Sequence, residues 1–453
     1  MLPKIFRSKH KVAVIGIYRS GKTAFITSFI NHVMYHDREK LKIGEPKGSV
    51  KITYDKELPV ENGFTRFPYE KFRNEANGRW PTKTKDIYHY SCSFYRSDWS
   101  MTKGQLDLFD FPGERLADIA MVKKSYAEWS DWLFNKVFQD KQYRDLAQAF
   151  LAECDRDVLD EKGLTLVYRQ FLAELYKSYR PVITPSTFLL QHGNSKEMLG
   201  KFFGVKVDRG DISSSFSGLS EDEQFVPLPE KARKNNIDLE KRFASHYSNY
   251  RDKVAIPLTN ILFDCNELAI LVDVTTLLAA NTGMYNGNRE LLDQFFQILS
   301  PGDSLFGLGM DWIRKVGSGG HWGKSGSSQV AIIATKADKV HFDERDKLKD
   351  LVKEMTEGLI EKYKYLSLHL EYKYFACSAV RSTRKGKDGR LQGRLLGEED
   401  KSEYDVSKVP GNWPGKWEEG DFTYPDVAPE FPERTTLAPD HLAMDDVIEF
   451  LLK

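Results

Sequence analysis

Gly16-Ile17-Tyr18-Arg19-Ser20-Gly21-Lys22-Thr23 fits the spacing G-x-x-x-x-G-K-[ST], and each fixed position has a chemical reason. Backbone N–H groups that wrap a phosphate need glycine where the loop turns, because a Cβ would block the approach. A lysine reaches the terminal phosphates, and a small hydroxyl ligates Mg²⁺. Gly16, Tyr18, Arg19, Ser20, Gly21, Lys22, Thr23 and Ala24 are the residues expected to hold the phosphates. The flanks suit that role. Lys11-Val12-Ala13-Val14-Ile15 reads as a buried parallel strand. Residues 24–33 read as the helix that follows, with Phe25, Ile26, Phe29, Ile30 and Val33 on one face.

Three later segments narrow the ligand. A strand over 105–110 leads into Asp110-Phe111-Pro112-Gly113, the pattern D-x-x-G. A carboxylate there can hold Mg²⁺ through water, and the glycine N–H can meet a γ-phosphate and move when it leaves. A second apolar strand, residues 329–334, runs into Thr335-Lys336-Ala337-Asp338, which resembles the [NT]-K-x-D signature of GTP-binding proteins. An aspartate accepts two hydrogen bonds from guanine N1–H and the exocyclic amine. Adenine offers neither donor and would leave the carboxylate unpaired, which a buried site rejects strongly. The lysine stem would cover base and ribose. Ser378-Ala379-Val380, after a strand at 372–377, resembles the S-A-x element whose backbone touches guanine O6.

These sites demand an open α/β sheet, since such sheets bind ligands at the carboxyl ends of their strands. The candidate strands are 11–16, 87–95, 105–111, 267–274, 329–335 and 372–377. The order of the four elements resembles that of a Ras-like P-loop NTPase. The expectation is therefore a mostly parallel six-stranded sheet flanked by helices, with a large helical insertion domain. The parts would be 1–35 (P-loop), 36–79 (a polar, turn-rich insertion), 80–115 (the two switches), 116–258 (the helical insertion) and 259–281. After these come 282–327 (an insertion with a Gly/Ser-rich loop), 328–380 (guanine recognition) and 381–453 (a C-terminal extension).

The chain resembles the YcjX family, a bacterial group of stress-associated P-loop proteins. The resemblance rests on residues 16–23, on Arg79-Trp80-Pro81-Thr82-Lys83-Thr84, on Asp110-Phe111-Pro112-Gly113-Glu114 and on Phe431-Pro432-Glu433-Arg434. It implies a cytosolic protein that meets a protein partner, a membrane protein among the candidates, under envelope or heat stress. A switch hydroxyl that joins Mg²⁺ only when the γ-phosphate is present is expected between the first helix and second strand. Thr84 is chosen over Thr82 because it ends the W-P-x-x-T run. The metal set is then Thr23, Thr84 and Asp110.

Two departures bear on rate. Small GTPases usually carry small residues where this chain has Tyr18 and Arg19. Arg19 either lies along the phosphates as a finger in cis or is a solvated loop arginine. Glu114 follows Gly113, where many GTPases place a glutamine. A carboxylate near a γ-phosphate is repelled, so hydrolysis by Lys22, Arg19 and Glu114 is expected to be slow without a partner.

The remaining stretches read as support. Tyr126, Trp129, Trp132, Phe134, Val137 and Phe138 lie on one face of a helix, and residues 142–154 and 164–179 continue as helices. Such an aromatic stripe is more often core than ligand box. Residues 318–325 mimic a second P-loop but lack its first glycine. Residues 305–313 form an apolar cluster that packs on its own domain or touches a membrane or partner. Residues 381–394 read as a charged mobile loop and 439–452 as a terminal helix. The 453 residues carry 66 basic and 66 acidic side chains. A net charge of zero gives no general argument for nucleic acid, and none is expected as a partner. The four scattered cysteines read as reduced thiols in a cytoplasmic protein. No apolar run reaches the roughly 20 residues of a membrane span, so peripheral inner-membrane association is the only membrane role left open. The reading is a GTP/GDP- and Mg²⁺-dependent switch. The alternatives are an ATPase coupled to remodelling and a nucleotide-gated scaffold with incidental hydrolysis.

Overall fold

The computed structural model describes residues 9–16, 20–61, 63–75, 80, 87–99, 103–111, 116–119, 121–177, 224–299, 328–363 and 370–453. The chain forms two compact units. One comprises Met1–Gly113, Phe263–Tyr285 and Arg314–Lys453; the other comprises Glu114–Leu262 and Asn286–Ile313.

The first unit is built on one sheet of eight strands. They are β1 (Lys9–Gly16), β2 (Ile52–Glu57), β3 (Thr65–Arg66), β4 (Tyr88–Arg96), β5 (Lys103–Asp110), β6 (Glu267–Val272), β7 (Ser328–Ala334) and β8 (Leu370–Ala376). The order is β2-β4-β5-β1-β6-β7-β8, with β3 also paired to β4. β5, β1, β6, β7 and β8 run parallel. β4 is antiparallel to β5, and β2 to β4. The order reverses beside β1: β5 lies on one side and β6 on the other. The carboxyl end of β1 is therefore a crevice, the usual ligand position of such sheets.

The six expected strands are the contiguous run from β4 to β8, and the sheet is wider than expected by β2 and β3. Both come from the turn-rich stretch 36–79. β2 is an edge strand in which Ile52 is buried but Thr53, Asp55 and Lys56 are exposed. A bulge between Tyr54 and Lys56 breaks the alternation that marks a strand in sequence. β6 ends at Val272, short of the expected 274. The Asp273 side chain turns the chain there by capping the helix Val274–Ala279, accepting from Thr276 N at 2.9 Å.

Residues 381–394 are not a loop. They supply β9 (Thr383–Lys385) and β10 (Leu391–Gly393), which join β11 (Ser402–Tyr404) in a small antiparallel sheet. Its inward residues Thr383, Leu391 and Gly393 are buried while its charges face out, so charge content alone hides the strands. The terminal helix spans Met444–Leu451 rather than 439–452. Ala443 at its start has φ 53°, a left-handed conformation that no helix residue adopts.

One face of the sheet is covered by the helix Lys22–Met34 and by the terminal helix. Val12, Val14, Leu271 and Ile333 from the strands bury against Phe25, Phe29, Val447 and Ile448. Each such side chain contributes about 1.5–3 kcal/mol. The helix Arg345–Tyr363 packs along β7 and β8.

The second unit's described residues form helices, among them Tyr126–Asn135, Lys141–Cys154, Glu161–Lys177 and Ile237–Tyr250. The first opens on a capping box between Ser125 and Glu128 and stops at Asn135, earlier than its aromatic spacing suggested. A separate 3₁₀ turn, Val137–Gln139, carries Phe138. Trp129, Phe138, Phe150, Tyr168, Phe171 and Tyr247 lie in one buried cluster, so the aromatic stripe is core. Residues 305–313 and the P-loop mimic at 318–325 lie outside the described residues. Among the described residues no helix is long and apolar enough to cross a membrane.

Candidate functional site

β1 ends on Gly16, and the chain re-enters the described structure at Ser20, at the mouth of the crevice. A Cβ on Gly16 would collide with the Ser20 hydroxyl and stand 3.0 Å from Leu271 Cβ of β6. Only glycine permits that approach. Gly21 has open space around it but φ 83°, so there conformation makes the demand. It stands at the N-cap of the helix Lys22–Met34, whose N-terminal amides and dipole favour an anion. Lys22 Nζ donates to Gly16 O at 3.2 Å, folding its ammonium back over the loop. Thr23 is nearly buried in the first helical turn. Asp110 ends β5 fully buried, in register with Val14 of β1 and Tyr88 of β4. A threonine hydroxyl and a carboxylate are hard oxygen donors of the kind Mg²⁺ takes. Among the described residues no group of three or more metal-ligating carboxylates, histidines or cysteines occurs.

The segments expected to read the base lie where β7 and β8 finish. A cavity of about 40 Å³ is lined by Ser20, Gly21 and Ala24 on the loop side, and by Thr335, Lys336 and Asp338 opposite. Ser378, Ala379 and Val380 close it from β8. Nine residues expected from sequence thus share one cavity, which has room for a few waters. Thr335 continues the sheet, its N–H donating to Val272 O at 2.9 Å. Lys336 adopts φ 56°, and the turn aims Asp338 inward. The Asp338 carboxylate is buried and accepts from the Ser378 hydroxyl and from Ser382 N–H at 2.7 Å. Asp338 N–H donates to Ser378 Oγ at 3.0 Å. The S-A-x serine therefore orients the aspartate. Ala379 O accepts from Ser28 Oγ at 2.6 Å, which ties the S-A-x turn to the phosphate-loop helix.

Several groups on the lining, or bonded to it from behind, belong to none of the four expected nucleotide motifs. Asp273 forms an ion pair with Lys336 Nζ at 2.6 Å and accepts from the Thr275 and Thr276 hydroxyls at 2.7 and 2.6 Å. Burial opposes its ionisation, but the Lys336 and Lys339 ammonium groups and these hydrogen bonds hold it well below the usual carboxylate range. Its one readable sign was an aspartate followed by two threonines after an apolar strand. Lys339 reaches across to Asp426 at 3.0 Å; burial resists that carboxylate's ionisation and Lys339 overcomes it. Trp80 Nε1 donates to Val427 O at 2.7 Å. Ser382 Oγ is buried on the lining without a partner among the described residues.

The C-terminal extension is thus a wall of the cavity. It is held in turn by Arg73, buried in the short helix Tyr69–Glu75, whose guanidinium lies 4.8 Å over the Phe431 ring. Arg73 donates to Pro432 O at 2.7 Å and Arg434 O at 3.1 Å, and Phe431 packs on Val380. The run Phe431-Pro432-Glu433-Arg434 therefore supports the S-A-x turn. Tyr18, Arg19, Thr82, Thr84, Gly113 and Glu114 lie outside the described residues.

A family model described as the YcjX-like family, DUF463, matches residues 10–453. Two relatives carry the name Ras-like GTPase YcjX. The one from Escherichia coli (strain K12) is 22% identical, over 98% of this chain and 95% of its own. The one from Shewanella oneidensis is 21% identical, over 98% of this chain and 93% of its own.

Proposed function

The chain belongs to the YcjX-like family, and from that premise we propose that it is a Mg²⁺-dependent GTP-binding protein that hydrolyses GTP slowly and acts as a nucleotide-controlled switch. The observation that carries this reading is the cavity in which Asp338, oriented by Ser378, faces the phosphate-loop residues Ser20 and Gly21. A carboxylate offers about four lone-pair positions. Ser378 and Ser382 occupy two, which leaves acceptors for guanine N1–H and the exocyclic amine. The two names Ras-like GTPase YcjX favour the same ligand.

In this reading Lys22 and the amides at Ser20–Thr23 neutralise the phosphates, Tyr18 and Arg19 flank them, and Gly113 senses the γ-phosphate. Thr23, Thr84 and Asp110 would hold Mg²⁺, which supplies charge neutralisation on the β- and γ-oxygens. Arg19 acts as a finger in cis, and Glu114, repelled by the same phosphate, limits the rate. The partner is a protein, a membrane protein among the candidates. The address is the cytoplasm with peripheral contact to the inner membrane, and the context is stress.

Asp338→Asn tests the base reading. Asparagine presents a donor where guanine presents its amine, and xanthine presents a carbonyl there. Fluorescent GDP should bind wild type at least about 100-fold tighter than fluorescent ADP. D338N should lose most GDP affinity and gain xanthosine diphosphate. Equal GDP and ADP affinities, or a GDP affinity unmoved in D338N, would refute it.

A further inference from the structure

A second concavity, about 840 Å³, lies on the same unit, and its lining shares no residue with that of the first cavity. One wall is the turn Phe342–Glu344 and the start of helix Arg345–Tyr363. The other is β9, the start of β10 and the chain just beyond β11. Arg345, Arg381, Arg384, Lys385 and Lys408 line it. Among the described residues none of these five has a carboxylate at ion-pair distance. Two further cations are already paired, Lys347 with Glu344 at 3.1 Å and Arg390 with Asp405 at 3.4 Å. Arg345 is half-buried, its Nε has no partner, and its guanidinium stands 5.2 Å over the ring of Phe342. Phe342 is 79% exposed. Burial and the field of Arg381 disfavour the charge on Arg345, and the Asp338 carboxylate offsets them only in part.

Asp343 and Glu344 also line the groove, Glu344 being taken up by Lys347, so seven cations face two carboxylates. Such an excess of cations in a concave surface raises the energy of the free protein and focuses a positive field outward. Charged side chains on an exposed edge strand commonly guard against strand pairing. That accounts for Arg384 and Lys385 on β9, but not for Arg345, Arg381 or Lys408, which lie on no strand. Three of the five are arginines, whose planar forks suit carboxylate and phosphate alike. The size exceeds one phosphate, and single-stranded nucleic acid is usually held on successive stacking rings; the lining has two, His341 and Phe342, adjacent in the chain rather than spaced along the groove. Val406 and the buried Leu391 add an apolar floor. Several carboxylates with one apolar residue among them match that surface best.

We propose that this groove docks an acidic segment of a partner protein, with its carboxylates on Arg345, Arg381, Arg384, Lys385 and Lys408 and an apolar side chain on Phe342. The claim does not depend on the guanine reading and is tested without nucleotide. The full chain is titrated against a fluorescein-labelled Glu/Asp-rich peptide bearing one leucine, by anisotropy, at low and at physiological salt. Saturable binding is expected at low salt, weakening about tenfold or more in R384E/K385E/K408E and about threefold in F342A. The control K42E/K51E/K56E carries the same charge change on exposed residues outside the groove and should bind within twofold of wild type. Circular dichroism melts establish that the variants are folded, and R384Q/K385Q/K408Q serves if charge reversal unfolds the chain. The proposal is overturned by absence of peptide binding at low salt or by equal loss in the control. It is also overturned if single-stranded RNA or inorganic tripolyphosphate binds more tightly than the peptide in the same buffer.

Discussion

Asp338 and Asp273 sit at the ends of neighbouring parallel strands and do different work. Asp338 keeps free acceptors; Asp273 has its oxygens filled by Lys336, Thr275 and Thr276. The second arrangement makes a stability prediction. Lys336→Ala leaves the Asp273 carboxylate buried with only hydroxyl, amide and more distant Lys339 support. Discounted for the partial exposure of Lys336, the loss at neutral pH should be about 2 kcal/mol, read from urea unfolding. The pH dependence follows from the depressed folded pKa of Asp273. Its contribution is present above the unfolded carboxylate value of about 3.9 and is lost as pH falls through the folded value. The gap between wild type and K336A should therefore hold from neutral pH to about 5 and narrow below about 4. A gap that widens on acidification would mean the pair is not the source. K336A should also weaken nucleotide binding, because the αL turn that aims Asp338 loses its anchor.

At the scale of elements, the short helix Tyr69–Glu75 and the C-terminal extension form a bracket around the S-A-x turn. Arg73 is buried, with no carboxylate at ion-pair distance among the described residues; carbonyls and the Phe431 ring hold its charge. Arg73→Ala removes these hydrogen bonds and the packing of the stem, a destabilisation of about 3 kcal/mol in urea. Because Phe431 packs on Val380, R73A should also weaken GDP binding several-fold, whereas a variant in the second unit's core would lower stability alone. Trp80→Phe keeps an aromatic ring but removes the donor to Val427 O. Trp80 and Val427 both line the cavity, so this bond holds two parts of its wall together. GDP release from W80F, followed by stopped-flow fluorescence, should be faster than from wild type; an unchanged rate would mean that this bond does not slow release.

At the scale of the whole molecule, all four cysteines are buried thiols outside any disulfide. Burial pushes each thiol up, Cys92 to about 12 with Asp107 adding to it. Native protein should therefore react with a thiol reagent at pH 8 only as fast as it opens, and all four should label in denaturant. Rapid labelling of Cys377 alone, at the cavity wall, would reveal local opening there. The chain's sequence by itself determined the parallel strands, the glycine turns, the helix that follows them and the segments 335–338 and 378–380. Those are local demands: a backbone that must approach a phosphate, a strand buried on both faces, a fixed spacing between a strand end and its polar residues. The tertiary structure alone decided that Asp273 grips Lys336, that Ser382 and Ser378 share Asp338, that Trp80 and Asp426 close the cavity, and that five cations from separate segments face one groove. These partners lie from a few tens to more than 300 residues apart. No spacing rule links them, because topology brings them together and their charges and hydrogen bonds acquire meaning only at contact distance.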